Sequence, residues 1–360
     1  MKIGILTYYG VHNHGALLQA NALKKVLNSK GYDCGFLEFE RSYSNISSEQ
    51  TNKYKLGFGS ISFYTKYLFE KGVSNILYNV KKKKVLSTFR KQELPLIGSY
   101  KEFKNGIVVI GSDEVFSLEI GVNPFLYGND LENNHVFSYA GCFGPTTYEE
   151  VLKQNKGEMI RTGLNGMKAI SVRDYNSKKV VKEITGKDAT LVCDPVILYG
   201  YKDEKDKFVP DLKNYILIYS YDKNLNEKDE YKYIQEYAIK HNLKIVSVGY
   251  HHEWCKSINA SPIELLGWIK NASLVVTDTF HGSVMSIICN TPMAVKLRGN
   301  KNKLEFLLSE YGLKHRTMEA FDKLETVASE DIDFNMVNDV ITERRQSSMQ
   351  FLDGALEKCQ

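Results

Sequence analysis

No stretch of about 18 apolar residues occurs in the 360-residue chain, so none of it reads as spanning a membrane. The opening MKIGILTYYGVHNHG lacks an apolar core followed by a small-residue cleavage site and reads as a first strand, not a signal peptide. None of the six cysteines (Cys34, Cys142, Cys193, Cys255, Cys289, Cys359) forms a CxxC pair. That indicates neither a zinc site nor a disulfide framework, and reduced thiols in a cytoplasmic protein are the simplest reading. Phosphate-loop GxxxxGK[ST], HExxH and GxSxG are missing, which weighs against P-loop ATPases, zinc proteases and serine hydrolases. The turn 10–15 has glycine at only two positions and is not GxGxxG, so it makes no case for a dinucleotide. A large excess of one charge sign is lacking too: the net +4 is too small to argue for nucleic acid. With 43% hydrophobic and 25% charged residues, the composition is that of a globular protein and excludes disordered, collagen-like and coiled-coil chains.

What is present is alternation. Strand-like runs at 2–9, 34–39, 107–111, 135–141, 169–173 and 189–193 are separated by helical spacing at 16–29 and 175–185. The polar, charged stretch 199–213 reads as a linker. The pattern then restarts with strands at 215–220, 244–249, 274–278 and 293–297 and helices at 228–241 and 283–289. Ser261-Pro262-Ile263-Glu264 spells a capping box with proline at the first helical position. The reading is an α/β protein of two Rossmann-like lobes with mostly parallel sheets. The lobes are expected over 1–198 and 214–334. A last helix over 335–360 is expected to pack back on the N-terminal lobe.

An insertion at about 45–100 stands apart. Residues 53–91 hold ten basic residues against one acid, Glu70, with aromatics interleaved. Two readings are open: a surface approaching anionic lipid or a lipid-linked substrate, or a solvated helix with an apolar face toward the core.

The best local constellation is Asp278-Thr279-Phe280-His281-Gly282-Ser283, where a buried strand gives way to a helix. In α/β sheets ligands sit off the carboxyl ends of strands, and a helix start offers N–H donors to an anion. His281 is the side chain there most easily set as a proton donor, and Gly282 and Ser283 would line an anion site; the alternative is a turn-packing histidine. Arg173 closes the strand AISVR and suits bidentate carboxylate or phosphate binding, or else a structural ion pair. Lys296, Arg298, Lys301 and Lys303 follow the strand MAVKL and could bring a cation to a phosphate. Asn13 and Gly15 belong to a cleft-lining turn. Asp113 and Glu114 follow a strand and are acid–base candidates, or helix caps. Asp194-Pro195 reads as a turn.

The order of these pieces resembles the polysaccharide pyruvyl transferase family from about residue 2 to about 313. The resemblance rests on NHGALLQANALKKVL at 13–27, VIGSDEVF at 109–116, SYAGCFG at 138–144, ISVRD at 170–174, CDPVILY at 193–199 and, above all, the block at 261–292. It implies a two-lobed fold similar to GT-B glycosyltransferases with the active site in the inter-lobe cleft. It implies transfer of the pyruvyl group of phosphoenolpyruvate to a saccharide as a cyclic ketal, releasing phosphate, in bacterial surface polysaccharide (capsule or exopolysaccharide) assembly. The family's histidine and arginine match His281 and Arg173; its downstream lysine matches Lys301 best, counting from His281 with Pro292 in register, while the next hydrophobic landmark fits one or two residues later and keeps Lys303 as the alternative. The chain has Glu114, Phe116 and Asp174 where many members have Gln, Trp and Glu, departures that bear on acceptor choice. The scheme needs no metal and no cofactor beyond the donor, and expects no nucleic-acid partner. It expects His281 to protonate the donor, Asp113 to take a hydroxyl proton, and a saccharide acceptor, with segment 53–91 favouring a lipid-linked one at the inner membrane face. Two competing readings are a nucleotide-sugar glycosyltransferase, with Glu305 as a candidate ribose ligand, and a non-catalytic sugar-binding protein on the same fold.

Overall fold

The computed structural model describes residues 1–41, 61–221, 224–298 and 302–360, with backbone alone for 61–72. Lys301 and the segment 42–60, including Lys53, Tyr54, Lys55 and Phe58, lie outside the described residues.

Five short apolar runs build the first sheet: β1 (Lys2–Leu6), β2 (Asp33–Glu38), β3 (Leu96–Ser99), β4 (Ile107–Ile110) and β5 (Val136–Ser138). Their order is β3-β2-β1-β4-β5 with parallel pairing throughout. Such strands are buried on both faces, which is why they read as continuous Val/Ile/Leu runs. Helix α1 (His14–Ser29) follows β1 and starts at Asn13, whose side chain accepts from the Ala16 N–H. Helix α2 (Ile61–Glu93) is inserted between β2 and β3. Beyond β5 come α3 (Tyr148–Lys153), α4 (Gly157–Gly166), β6 (Ser171–Val172), α5 (Tyr175–Thr185), β7 (Thr190–Leu191) and α6 (Pro195–Tyr199). β6 and β7 pair with each other, and bridges Phe137–Ala169 and Gly141–Val172 carry the sheet on to them.

The second sheet contains β8 (Tyr215–Tyr219), β9 (Lys244–Val248), β10 (Lys256–Ile258), β11 (Leu274–Thr277), β12 (Met293–Lys296) and β13 (Thr317–Met318), ordered β10-β9-β8-β11-β12-β13 and again parallel. Between these strands run α7 (Lys228–Lys240), α8 (Pro262–Lys270), α9 (Phe280–Cys289) and α10 (Asn302–Glu310); α11 (Leu324–Ser329) and α12 (Phe334–Glu357) close the chain. The capping box at Ser261 forms with both reciprocal hydrogen bonds.

Three features tie the lobes together. The connector 199–213 is not a loose tether: Tyr201 is fully buried and its hydroxyl lies 2.8 Å from the Leu18 carbonyl and the Asn21 Oδ1. Helix α2 straps both lobes: Leu86 and Phe89 enter the core beside β1 and β2, while the Tyr78 hydroxyl donates to Ile258 of the second lobe (3.0 Å). Tyr78, one of the interleaved aromatics of the basic segment, therefore faces inward. Helix α12 returns to the first lobe, where the Ser348 hydroxyl accepts from the Cys193 N–H (2.8 Å) and the Arg345 guanidinium donates to the Ile197 carbonyl (2.6 Å). Among the described residues no helix is long and apolar enough to cross a membrane.

Candidate active site

The carboxyl ends of the two sheets face each other across a cleft of about 470 Å³. The first lobe lines it with Tyr8, Val11, Asn13, Ala16, Arg41, Asp113, Glu114 and Ile120; the second supplies Tyr219, Tyr221, Asn224, Tyr250, Asp278, Thr279, Phe280, His281, Arg298 and Lys303.

The loop after β4 is braced from below. Thr7 donates to the Ser112 carbonyl (3.0 Å), the Ser112 hydroxyl bonds Gln19, and the Gln19 amide reaches Thr7 (3.4 Å), all buried. This network aims Asp113, which sits at φ 73°, a left-handed conformation that costs a non-glycine residue energy and is held only by such surroundings. Asp113 meets Arg173 at 2.7 Å, and the other arm of the Arg173 fork meets Asp194 at 2.9 Å. The Arg173 and Asp194 side chains are 1% exposed, Asp113 22%. Arg173 therefore lies beneath the cleft floor, its guanidinium 4.4 Å from the Phe280 ring centroid, and reaches the cleft by way of Asp113. Its partner is not the adjacent Asp174, which caps α5 by accepting from the Ser177 N–H. Burial opposes ionisation of Asp113, but the charges of Arg173, His281 and Lys303 prevail and hold its carboxyl at about 2.

His281 sits in the first turn of α9, which starts at Phe280 rather than at the expected Ser283. Its Nε2 is buried, lies 3.8 Å from the Asp194 carboxylate, and has no hydrogen-bond partner among the described residues; the same holds for the Arg173 Nε. Burial pushes the imidazole below its ordinary pKa, against the pull of Asp194 and Asp113. Gly15 touches this ring from across the cleft: a Cβ there would collide with His281. It makes room for the histidine and does not line the cleft. Asn13 does line it, and its amide donates to the Tyr250 hydroxyl (3.3 Å).

The expected anion site at 282–283 is corrected. The Gly282 N–H is taken by the Thr279 hydroxyl (2.9 Å) and the Ser283 N–H by the Thr279 carbonyl (3.3 Å), and both residues are buried away from the cleft. The cations come instead from the loop after β12, which carries Arg298, and from the first turn of α10, which carries Lys303. Lys303 pairs with Glu114, and burial, which opposes its charge, is outweighed by Glu114 so that its pKa rises. Arg298 is held by Asp278 (2.6 Å) and by both Glu230 oxygens (3.1 and 3.2 Å). Lys296 points elsewhere, toward the Glu319 carbonyl, and Glu305 does not line the cleft. Asp194, read as a turn, proves to be a buried partner of Arg173 and the cap of α6. Nothing local in its sequence separates it from an ordinary Asp-Pro turn; only the fold brings it to His281. Among the described residues no group of three or more His, Cys, Asp or Glu is placed to hold a metal ion.

Solved structures similar to this chain include S. aureus MnaA with UDP (11% identity, 95% of this chain and 90% of that one, TM-score 0.51). Arabidopsis thaliana UGT89C1 complexed with UDP-L-rhamnose is another (9% identity, 100% and 99%, TM-score 0.51), as is the glycotransferase of kitacinnamycin (9%, 99% and 98%, TM-score 0.50). At these identities the likeness is one of fold alone: with the parallel two-lobed architecture, the chain has a GT-B-like fold. No curated protein matches the sequence. The model of the polysaccharide pyruvyl transferase family matches residues 13–296, and the chain belongs to that family.

Proposed function

We propose that the protein transfers the pyruvyl group of phosphoenolpyruvate to two hydroxyls of a saccharide, forming a cyclic ketal and releasing phosphate. The observation that carries this reading is the convergence of His281, Lys303 and the Asp113–Arg173–Asp194 chain at one cleft, from both lobes. Two cations, each paired with a carboxylate of the 113–114 loop, stand beside a histidine nitrogen without a partner among the described residues. A small molecule with a carboxylate and a phosphate fits that donor set.

On this reading the ion pairs set the order of events. Asp194 anchors one arm of Arg173 in a fully buried pair, while Asp113 and Glu114 occupy the exchangeable positions on Arg173 and Lys303. A phosphate and a carboxylate displace them. Asp113, released from Arg173, regains an ordinary carboxylate basicity and becomes competent to accept a hydroxyl proton. The added negative charge raises the His281 pKa, so the imidazole is protonated when the donor is bound. His281 then gives its proton to C3, positive character develops at C2, and one sugar hydroxyl adds there, its proton passing to Asp113. The C2–O bond to phosphate breaks, and the second hydroxyl closes the ketal as its proton leaves with phosphate. Fixed charges around the departing phosphate and the oxocarbenium-like carbon supply the stabilisation. No step calls for a cofactor.

The rest of the cleft takes the acceptor. Tyr221 and Tyr250 meet edge to face with ring centroids 5.3 Å apart and line the cleft together with Tyr8, Asn13 and Asn224, a set of aromatic rings and amides suited to a sugar ring. A lipid-linked saccharide used in surface polysaccharide assembly, met on the cytoplasmic side, is the acceptor we favour.

Calorimetric titration with phosphoenolpyruvate tests the exchange. Asp113→Asn and Glu114→Gln each remove a competing carboxylate, so both should bind the donor several-fold more tightly, while Asp113→Asn loses turnover. Weaker binding in both would refute the exchange.

A further inference from the structure

Helix α2 has two opposite poles. At about 100° per residue, Asn75, Tyr78, Lys82, Leu86 and Phe89 share one side, and all five are buried. Val73, Leu77, Val80 and Lys84 share the other, and all four are exposed, the three apolar ones at 64%, 58% and 63%. Lys81 and Lys83 flank that stripe, each about 80° away, and Lys91 returns to it two turns further on. A single exposed aliphatic side chain needs no account, but three in line do. Among the described residues no other element exposes three large hydrophobic side chains. From 73 to 91 the helix carries six basic residues and no acid.

We propose that this outward face of α2 docks the protein onto an anionic lipid surface. The Val73–Leu77–Val80 stripe enters the headgroup boundary, and Lys81, Lys83, Lys84 and Lys91 meet lipid phosphates. Charge selects this occupant. A second copy laid on the same face would set lysine against lysine, whereas an anionic bilayer complements both the apolar line and its flanks. The docked orientation is useful because of what lies behind the helix. Lys82, on the inner pole, stands 3.9 Å from the Tyr250 ring centroid, and Tyr250 is a wall of the cleft. One helix thickness, about 10 Å, then separates lipid from the cleft wall. The inference goes beyond the donor chemistry and does not depend on it.

Vesicle flotation with the full chain tests it, using phosphatidylglycerol/phosphatidylcholine vesicles against phosphatidylcholine alone. Binding to the anionic vesicles, weakened by salt, is expected. Lys81→Glu with Lys84→Glu should lower partitioning by more than the roughly fivefold per lysine expected of simple charge removal. Leu77→Asp should also abolish flotation while leaving the melting temperature and phosphoenolpyruvate binding unchanged. His281→Ala should float like the wild type, which separates this claim from the donor reading. In Leu77→Trp, the emission gained over the wild type should shift to the blue only when anionic vesicles are added. Three results would overturn the proposal: no flotation of the wild type, a gained emission in Leu77→Trp that is already blue-shifted without lipid, or a dimer in light scattering that Leu77→Asp disperses.

Discussion

Arg173, its side chain 1% exposed, holds its charge between two carboxylates, Asp113 and Asp194. Removing one partner from a buried pair leaves an uncompensated charge, which commonly costs about 3–5 kcal/mol. Arg173→Met strands Asp113 and Asp194 together, so a destabilisation of that order in urea unfolding is expected; a change below about 1 kcal/mol would show the pairs to be unimportant. Arg173→Lys keeps the charge but not the planar fork whose two arms reach Asp113 and Asp194. It should recover much of the stability and little of the turnover. Gly15→Ala makes a second prediction at this scale. The added methyl displaces the His281 ring, so kcat should fall by about a hundredfold or more, the scale of a misplaced catalytic group, with the fold intact. Unchanged kcat would mean that the ring position does not matter. The positions of His281 and Arg173, each just past the carboxyl end of a strand, were legible in the sequence. Asp194 was not, because its role depends on a partner 21 residues away and another 87 residues away, a closeness that only the sheet creates.

Helix α1 carries the clearest acid-sensitive element. His14 is buried against the second lobe, its Nε2 2.9 Å from the Ala260 carbonyl, and burial, reinforced by Lys82, pushes its pKa down to about 3. The unfolded chain protonates near 6.5, so it takes up the proton first. Stability is therefore complete above about 6.5 and falls by about 1.4 kcal/mol per pH unit as the solution is acidified toward 3. His281, also lowered, adds in the same direction. His14→Gln should flatten the dependence of the urea midpoint on pH between 6 and 4; an unaltered slope would contradict the assignment. Element types were readable from periodicity, and the capping box at Ser261 fell where the motif put it. Several strand ends were not: the run at 2–9 stops at Leu6, where Thr7 turns its side chain to Ser112. The start of α9 was also misplaced, because Thr279 caps it from inside what reads as a turn.

At the scale of the whole molecule, the lobes are joined by a packed connector, by α2 and by α12. The last of these bears on the site at a distance, because it holds the stretch 193–197 that carries Asp194. Ending the chain at residue 333 removes Val337, Ile341, Leu352 and Leu356 from the core. The shortened protein should melt lower and bind phosphoenolpyruvate more weakly; unaltered donor affinity would uncouple α12 from the site. The alternation of strand and helix announced two α/β halves, because parallel sheets write their burial into the chain as apolar runs. The cleft's balance of charge was hidden. Lysines and arginines in the sequence gave no sign that Asp113 would face Arg173, Glu114 would face Lys303, and Asp278 and Glu230 would both face Arg298.

The most direct test of the account is release of phosphate from phosphoenolpyruvate by the purified protein with galactose-, mannose- and glucosamine-containing acceptors, lipid-linked ones included. The account predicts acceptor-dependent release that is lost in His281→Ala and Arg173→Lys. Release that persists in both variants, or no release from any acceptor while phosphoenolpyruvate leaves the melting temperature unmoved, would contradict it.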